Sequence, residues 1–114
     1  MPKVTILLPT RQSEKYLQET IKSVLMQTFE DFELLVVDDA STDRTLSILR
    51  KFRDERIRVI RGPERGLARA LNVGLKSAKG VYVARIDADD IMVPHRIATQ
   101  VAFMDANRDV VICG

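Results

Sequence analysis

Disulfides, a histidine-centred nucleophile relay and a membrane span all lack the residues they would need in this 114-residue chain. The single cysteine, Cys113, has no partner for an intramolecular disulfide, so thiol usage gives no sign of an oxidising compartment. A cytoplasmic setting fits best. The single histidine, His95, leaves no Ser/His/Asp or Cys/His set to assemble, and its place just after Pro94 favours an exposed first helical turn over a metal ligand. The five glycines form neither G-x-G-x-x-G nor a Walker loop, which weakens dehydrogenase and kinase-like NTPase readings. No apolar run reaches the roughly 18 to 20 residues of a membrane span, and the N-terminus enters Val4-Thr5-Ile6-Leu7-Leu8 without a signal-peptide layout. Membrane contact would come through parts outside these residues. Charge of one sign is scarce too: the net charge is +2 and the basic residues are scattered among acidic ones, so nucleic acid is not implied. The local cluster of Arg61, Arg65 and Arg69 still suits a smaller anion such as a diphosphate, because a focused patch acts where net charge does not.

What is present is the profile of one soluble globular domain, 46% hydrophobic and 30% charged, without repeat or linker. Lys3 to Leu8 is a branched apolar run stopped by Pro9, which predicts a buried strand. Ser13 is placed to cap a helix whose stripe is Leu17, Ile21, Val24 and Leu25. Phe32 to Val37 reads as a second strand ending in Asp38-Asp39, and a polar turn then opens a helix carrying Leu46, Leu49 and Phe52. Ile57 to Ile60 predicts a third strand, broken by Gly62-Pro63, and a helical stripe follows from Leu67 and ends at Gly80. Val81 to Ile86 predicts a fourth strand, and Pro94 suits the first turn of a helix bearing Ile97, Val101 and Met104. A fifth strand is expected to begin at Val110 to Cys113, where the sequence stops. Strands and helices in this alternation give α/β architecture, a mostly parallel sheet with helices on both faces.

Ligands of open α/β sheets bind beyond the carboxyl ends of strands. Three informative segments fall there: Pro9-Thr10-Arg11, Asp38-Asp39, and Asp87-Ala88-Asp89-Asp90. Crowded carboxylates raise one another's pKa unless a cation or hydrogen-bond donors compensate, and a divalent metal is the economical compensation. Asp87 and Asp89 present hard oxygen ligands in one loop, suited to Mg²⁺ or Mn²⁺ bridging to phosphate oxygens and offsetting charge on a leaving diphosphate. An isolated D-x-D is usually a solvated helix cap; three aspartates in four residues directly after an apolar strand shift the balance. Asp38-Asp39 alone reads as an ordinary turn, and its functional reading has one carboxylate accepting from a planar base edge while the other buttresses the loop. Arg11, Arg65 and Arg69 are the cationic candidates for a diphosphate or base, each a weak signal by itself.

Taken together, Val4 to Thr10, Val36-Val37-Asp38-Asp39-Ala40-Ser41-Thr42-Asp43, Gly66 through Asn72 to Gly74, Ala84 to Asp90 and Pro94-His95-Arg96 resemble family 2 glycosyltransferases, across essentially the whole chain and in the family's order. The resemblance implies a Rossmann-like GT-A fold, residues 1–114 being the half that binds the sugar donor, cut just as the fifth strand forms. It implies a nucleotide-diphospho-sugar donor, commonly with uracil, a divalent metal, a saccharide or lipid-linked acceptor, and inversion at the anomeric carbon in cell-surface polysaccharide synthesis. Such work belongs in the cytoplasm, at the inner face of the membrane. By position, Asp39 resembles the base-binding aspartate, Pro9, Thr10 and Arg11 the loop against the nucleoside, Asp87 the residue facing ribose or metal, and Asp89 the main metal ligand. Arg65, Arg69 and Asn72 lie in the segment that flanks the nucleotide. The departures are Ala40 for a commoner glycine, Arg11-Gln12 for an aromatic-Asn pair, and Leu71 for a frequent arginine. The family's catalytic base lies downstream of Gly114, so little or no transfer is expected from these residues alone. Three other readings compete: a sugar-phosphate nucleotidyltransferase, whose glycine-rich basic loop is missing after strand one; a receiver-like module, whose acidic pair would stand where this chain has Pro9-Thr10; and a degenerate, purely structural or binding copy of the transferase domain, against which the intact Asp87 and Asp89 pair argues.

Overall fold

The computed structural model describes residues 1–114. Its elements run β1 (Val4–Thr10), α1 (Leu17–Leu25), β2 (Phe32–Asp38), α2 (Thr45–Lys51), β3 (Ile57–Arg61), α3 (Leu67–Ser77), β4 (Tyr82–Arg85) and α4 (Arg96–Ala106). The four strands form one sheet in the order β3-β2-β1-β4, and every pairing is parallel. The topology follows from handedness: β1 to β2 and β2 to β3 step in one direction, whereas β3 to β4 steps back across the sheet. Right-handed crossovers therefore put α1 and α2 on one face and α3 on the other.

Side-chain alternation along the two central strands feeds both layers. Val4, Ile6 and Leu8 of β1, with Phe32, Leu34 and Val36 of β2, join Leu17, Ile21 and Val24 of α1, Leu49 of α2, and Ile97 and Val101 of α4 in the main core. The alternate residues Leu7, Leu35 and Val37 meet Ala70 of α3 in a smaller one. Two covered faces explain why these strands read as continuous apolar runs and not as an alternating pattern. α3 approaches closely because its inner face is small: a Cβ on Gly74 would overlap the Leu7 side chain.

Several boundaries differ from those expected. β1 does not stop at Pro9 but runs through it to Thr10. The Lys3 and Leu7 carbonyls accept from Tyr82 and Ile86 on the β4 side, and the Thr10 carbonyl accepts from Asp39 on the β2 side. Alternation thus turns the nitrogen of Pro9 toward β4, beyond the last β1–β4 pair at Leu7 and Arg85, where its missing N–H interrupts no ladder. Ser13 does not cap α1, which starts at Leu17; its hydroxyl instead closes a short turn with the backbone of Arg11. α3 ends at Ser77, three residues before Gly80, because Ala78 is already extended. Pro94 lies in the turn before α4, outside its first helical residues. The fifth strand is not formed: Val111 and Ile112 are 86% and 85% exposed and the segment pairs with no neighbour, so its apolar sequence lacks the ladder that would make it a strand.

Two polar arrangements hold the sheet at opposite ends. At the start of the strands Glu33 is buried on the α3 face, accepting from the Thr5 hydroxyl at 2.6 Å, the Lys79 N–H at 2.7 Å and the Arg58 guanidinium at 3.0 Å. Burial pushes its carboxyl up, but the Thr5, Lys79 and Arg58 contacts together outweigh burial and hold it below the ordinary value. At the other end the Asp38 carboxylate accepts from the Thr10 hydroxyl at 2.7 Å and from the Ser41 N–H and hydroxyl at 3.1 and 2.7 Å. That turn forces Ala40 to φ 58°, a left-handed conformation that a Cβ opposes, which gives the physical reason a glycine suits this position.

A carboxyl lowered by folding adds stability above its unfolded pKa and loses it as pH falls through the folded value. Urea unfolding from pH 7 to 3 should therefore show wild-type stability falling below about pH 4.5, the ordinary Glu value. Glu33→Gln should be less stable at pH 7 by about 1–3 kcal/mol and show a shallower acid limb. An unchanged acid limb would remove Glu33 from the account. Ala40→Gly should raise stability by about 1 kcal/mol, read as a higher urea midpoint, because it relieves the left-handed strain.

Candidate functional site

The loops after β1 and β4 leave neighbouring carboxyl ends of the sheet and bound a crevice there, at the rim where ligands of such sheets usually sit. The crevice is about 330 Å³ and is lined by Pro9, Arg11, Gln12, Ser13, Lys15, Tyr16, Leu67, Asp87, Ala88 and Asp89. A smaller hollow of about 170 Å³ adjoins it, lined by Pro9, Thr10, Arg11, Asp39, Gly66, Leu67 and Ala70. Pro9, Arg11 and Leu67 are common to both, so the two form one continuous trough along the rim. A larger groove of about 460 Å³ lies between β4 and α4, but it is mostly apolar and has no carboxylate on its walls. The acid-lined trough is the candidate site on chemical grounds.

The adjacent aspartates do different work. Asp38 is fully engaged by Thr10 and Ser41 as the buttress of its turn. Asp39, only 4% exposed, accepts from the Glu64 N–H at 2.6 Å and from the Gly66 N–H at 3.3 Å, pinning the β3–α3 loop across the end of β2. Close approach requires Gly62 there, since a Cβ would stand 2.8 Å from Asp39 Oδ1. A carboxylate has about four lone-pair sites, so two N–H bonds leave acceptor capacity toward the 170 Å³ hollow. Gln12 ties the first loop to the second: its N–H donates to the Ser41 hydroxyl, and its Oε1 accepts from the Thr42 N–H at 2.6 Å. The non-glycine residues at positive φ, Gln12, Ala40 and Glu64, all lie in loops at this rim.

Asp87 and Asp89 are exposed and face one crevice with Arg11 and Lys15. Asp87 pairs with Arg85 at 3.1 Å, half-exposed on both sides and therefore weak. No group of three or more His, Cys, Asp or Glu converges here, so the protein offers an open two-carboxylate set and no closed cage. That donor set fits Mg²⁺ or Mn²⁺, which take one or two carboxylates and complete their shell with phosphate oxygens and water. His95 is turned elsewhere, its Nδ1 3.2 Å from the Thr28 hydroxyl.

Of the residues singled out in the sequence, Pro9, Thr10, Arg11, Asp39, Asp87 and Asp89 line the trough. Arg65 and Arg69 are exposed on either side of Leu67 and line neither part of it. Sequence reasoning noted Gln12 only as a departure from the family's usual pair and missed Lys15, Tyr16 and Leu67 as lining residues. The one signal for these three was position, in the loop that follows β1 and at the first residue of α3; no motif marks them.

The family model described as glycosyl transferase family 2 matches residues 5–114. A putative glycosyltransferase of Bacillus subtilis, EpsE, is 38% identical over 117 residues, 99% of this chain and 42% of that protein. TarS of Staphylococcus aureus, a poly(ribitol-phosphate) β-N-acetylglucosaminyltransferase, has a crystal structure with UDP-GlcNAc that superposes with a TM-score of 0.86. It is 36% identical, with 93% of this chain and 32% of that one covered. A mannosyltransferase from Pyrobaculum calidifontis in complex with GDP-Man and Mn²⁺ superposes with a TM-score of 0.81 at 33% identity, covering 90% of this chain and 32% of that one. The chain thus spans less than half the length of these relatives. The fold is the GT-A type. The chain belongs to glycosyl transferase family 2.

Proposed function

We propose that this chain is the sugar-donor half of an inverting, metal-dependent glycosyltransferase that uses a nucleotide-diphospho-sugar, with a UDP-sugar the favoured donor. The observation that carries the reading is the continuity of the trough: the hollow at Asp39 and the crevice at Asp87 and Asp89 share Pro9, Arg11 and Leu67. A planar base in the first and a diphosphate in the second would be joined across that wall. Asp39 accepts from the base edge, while Pro9, Thr10 and Arg11 form the wall against the nucleoside. Asp87 and Asp89 are the residues that would hold a divalent ion, Mn²⁺ or Mg²⁺, which when bound would offset negative charge on a diphosphate leaving group. Arg11 and Lys15 add cationic hydrogen-bond donors to the crevice, and Arg65 and Arg69, exposed outside the trough, contribute longer-range positive charge.

The UDP choice is supported by the UDP-GlcNAc complex of TarS, and the metal by the Mn²⁺ complex of the mannosyltransferase. Displacement at the anomeric carbon needs an acceptor hydroxyl deprotonated in line with the leaving group. We assign that base to the part of the relatives that this chain does not span, so these 114 residues bind sugar donor and transfer little. The acceptor is a saccharide, lipid-linked or alditol-phosphate hydroxyl of a surface polymer; the ribitol-phosphate polymer in the name of TarS supports that class. No helix is long and apolar enough to cross a membrane. We place the reaction in the cytoplasm, at the inner face of the membrane where a lipid-linked acceptor would stand.

Calorimetric titration of UDP with and without Mn²⁺ tests this reading. Mn²⁺ should tighten UDP binding to the wild type, and Asp89→Ala should abolish that gain, a loss of about tenfold or more, equivalent to about 1.4 kcal/mol. A folded wild type that binds no nucleoside diphosphate would refute the reading.

A further inference from the structure

The acidic segment between β4 and α4 has no regular secondary structure over Ile86–His95, yet it is tied to α1 by Thr20 and Ser23, at i and i+3 on one helix face, and to the chain just beyond the helix by Gln27. Thr20, fully buried, has its hydroxyl 3.0 Å from the Ala88 carbonyl. Ser23 Oγ accepts from the Met92 N–H at 2.9 Å and donates to the Thr20 carbonyl at 2.7 Å. Gln27, 4% exposed, donates to the Val93 carbonyl at 2.7 Å and accepts from the Ile97 N–H at 3.2 Å, which satisfies one of the orphan amides in the first turn of α4. An apolar stripe would pack a helix on a sheet equally well, and buried polar groups are costly without partners. Each of the three side chains reaches a backbone group of the acidic segment or the first turn of α4, and each also has a backbone carbonyl of its own stretch of chain within reach, Tyr16 for Thr20 at 3.2 Å, Thr20 for Ser23 and Ser23 for Gln27 at 3.3 Å.

We infer that Thr20, Ser23 and Gln27 are positioning residues that set the geometry of the Asp87 and Asp89 carboxylates for a divalent cation; the inference rests on the donor-site reading above. Ala88 lies between the two aspartates, and its carbonyl belongs to the Ala88–Asp89 peptide, so holding it fixes the backbone directly before Asp89 and one residue after Asp87. The turn is closed on its far side by the Asp90 N–H donating to the Asp87 carbonyl at 3.1 Å. Small hard cations tolerate little distortion of their ligands, and removal of a group that orients a ligand commonly weakens metal affinity by about 10- to 100-fold.

The test compares Thr20→Val, which keeps shape and loses the hydroxyl, with Thr20→Ser, which keeps the hydroxyl. UDP affinity is measured with and without Mn²⁺, and amide hydrogen exchange is followed at Asp90 and Met92. Thr20→Val should lose about tenfold of the Mn²⁺-linked affinity, keep the metal-free UDP affinity, and exchange faster at Asp90. Thr20→Ser should recover both. A Thr20→Val protein with wild-type Mn²⁺ linkage, or one weakened equally with and without Mn²⁺, overturns the inference. If Thr20→Val fails to fold, Ser23→Ala, which frees the Met92 N–H, should show the same split with faster exchange at Met92, and wild-type behaviour there overturns it. A wild type without Mn²⁺-linked UDP binding would sink the donor-site reading instead, and exchange alone then decides whether α1 anchors the segment: unchanged rates overturn the anchoring, faster rates support it.

Discussion

The rim depends on β1 being hydrogen-bonded on both sides, in parallel register with β2 and β4. Seven residues of β1 face seven of β2, from Val4 and Phe32 to Thr10 and Asp38. Parallel pairing aligns the strands' carboxyl ends, so the segments after Thr10, Asp38 and Arg85 emerge side by side. The two side layers of core make that alignment stable, since each central strand is clamped by apolar contacts above and below. A slip by one residue would exchange the two faces and bury the wrong set of side chains.

Rigid strands alone would leave the loops free, and a second level of structure removes that freedom. Buried carboxylates act as acceptors for neighbouring loop amides: Asp38 for its own turn, Asp39 for the loop after β3. Gln12 joins the first of these loops to the turn after β2. Left-handed residues at Gln12, Ala40 and Glu64 mark the conformational strain that these bonds offset. The acidic loop after β4 is restrained differently, by Thr20 and Ser23 of α1 and by Gln27 just after that helix.

This division explains why the trough combines enclosed and open regions. Asp39 sits in a desolvated corner where hydrogen bonds to a planar ligand would be strong, whereas Asp87 and Asp89 stay exposed, which suits the role proposed for them toward a cation carrying its own water and phosphate shell. Family membership settles the choice between the sequence readings in favour of the transferase over the nucleotidyltransferase and receiver alternatives.

The sequence determined the order and type of the eight elements, because branched apolar runs and 3.6-residue stripes are local signals, and it marked the aspartate-rich strand ends by their contrast with those runs. It misjudged features whose cause is a partner distant in the chain. Pro9 is accommodated in β1 because β4 ends its pairing one step earlier, and Val110 to Cys113 stays unpaired because a strand exists only where another offers its backbone. Only the tertiary structure decided that Asp38 is a buttress and Asp39 a loop clamp, that Lys15, Tyr16 and Leu67 join the site, and that Arg65 and Arg69 stand outside it. Those outcomes depend on which loops cross which strand ends, and a linear pattern carries no information on crossings until the sheet order is fixed.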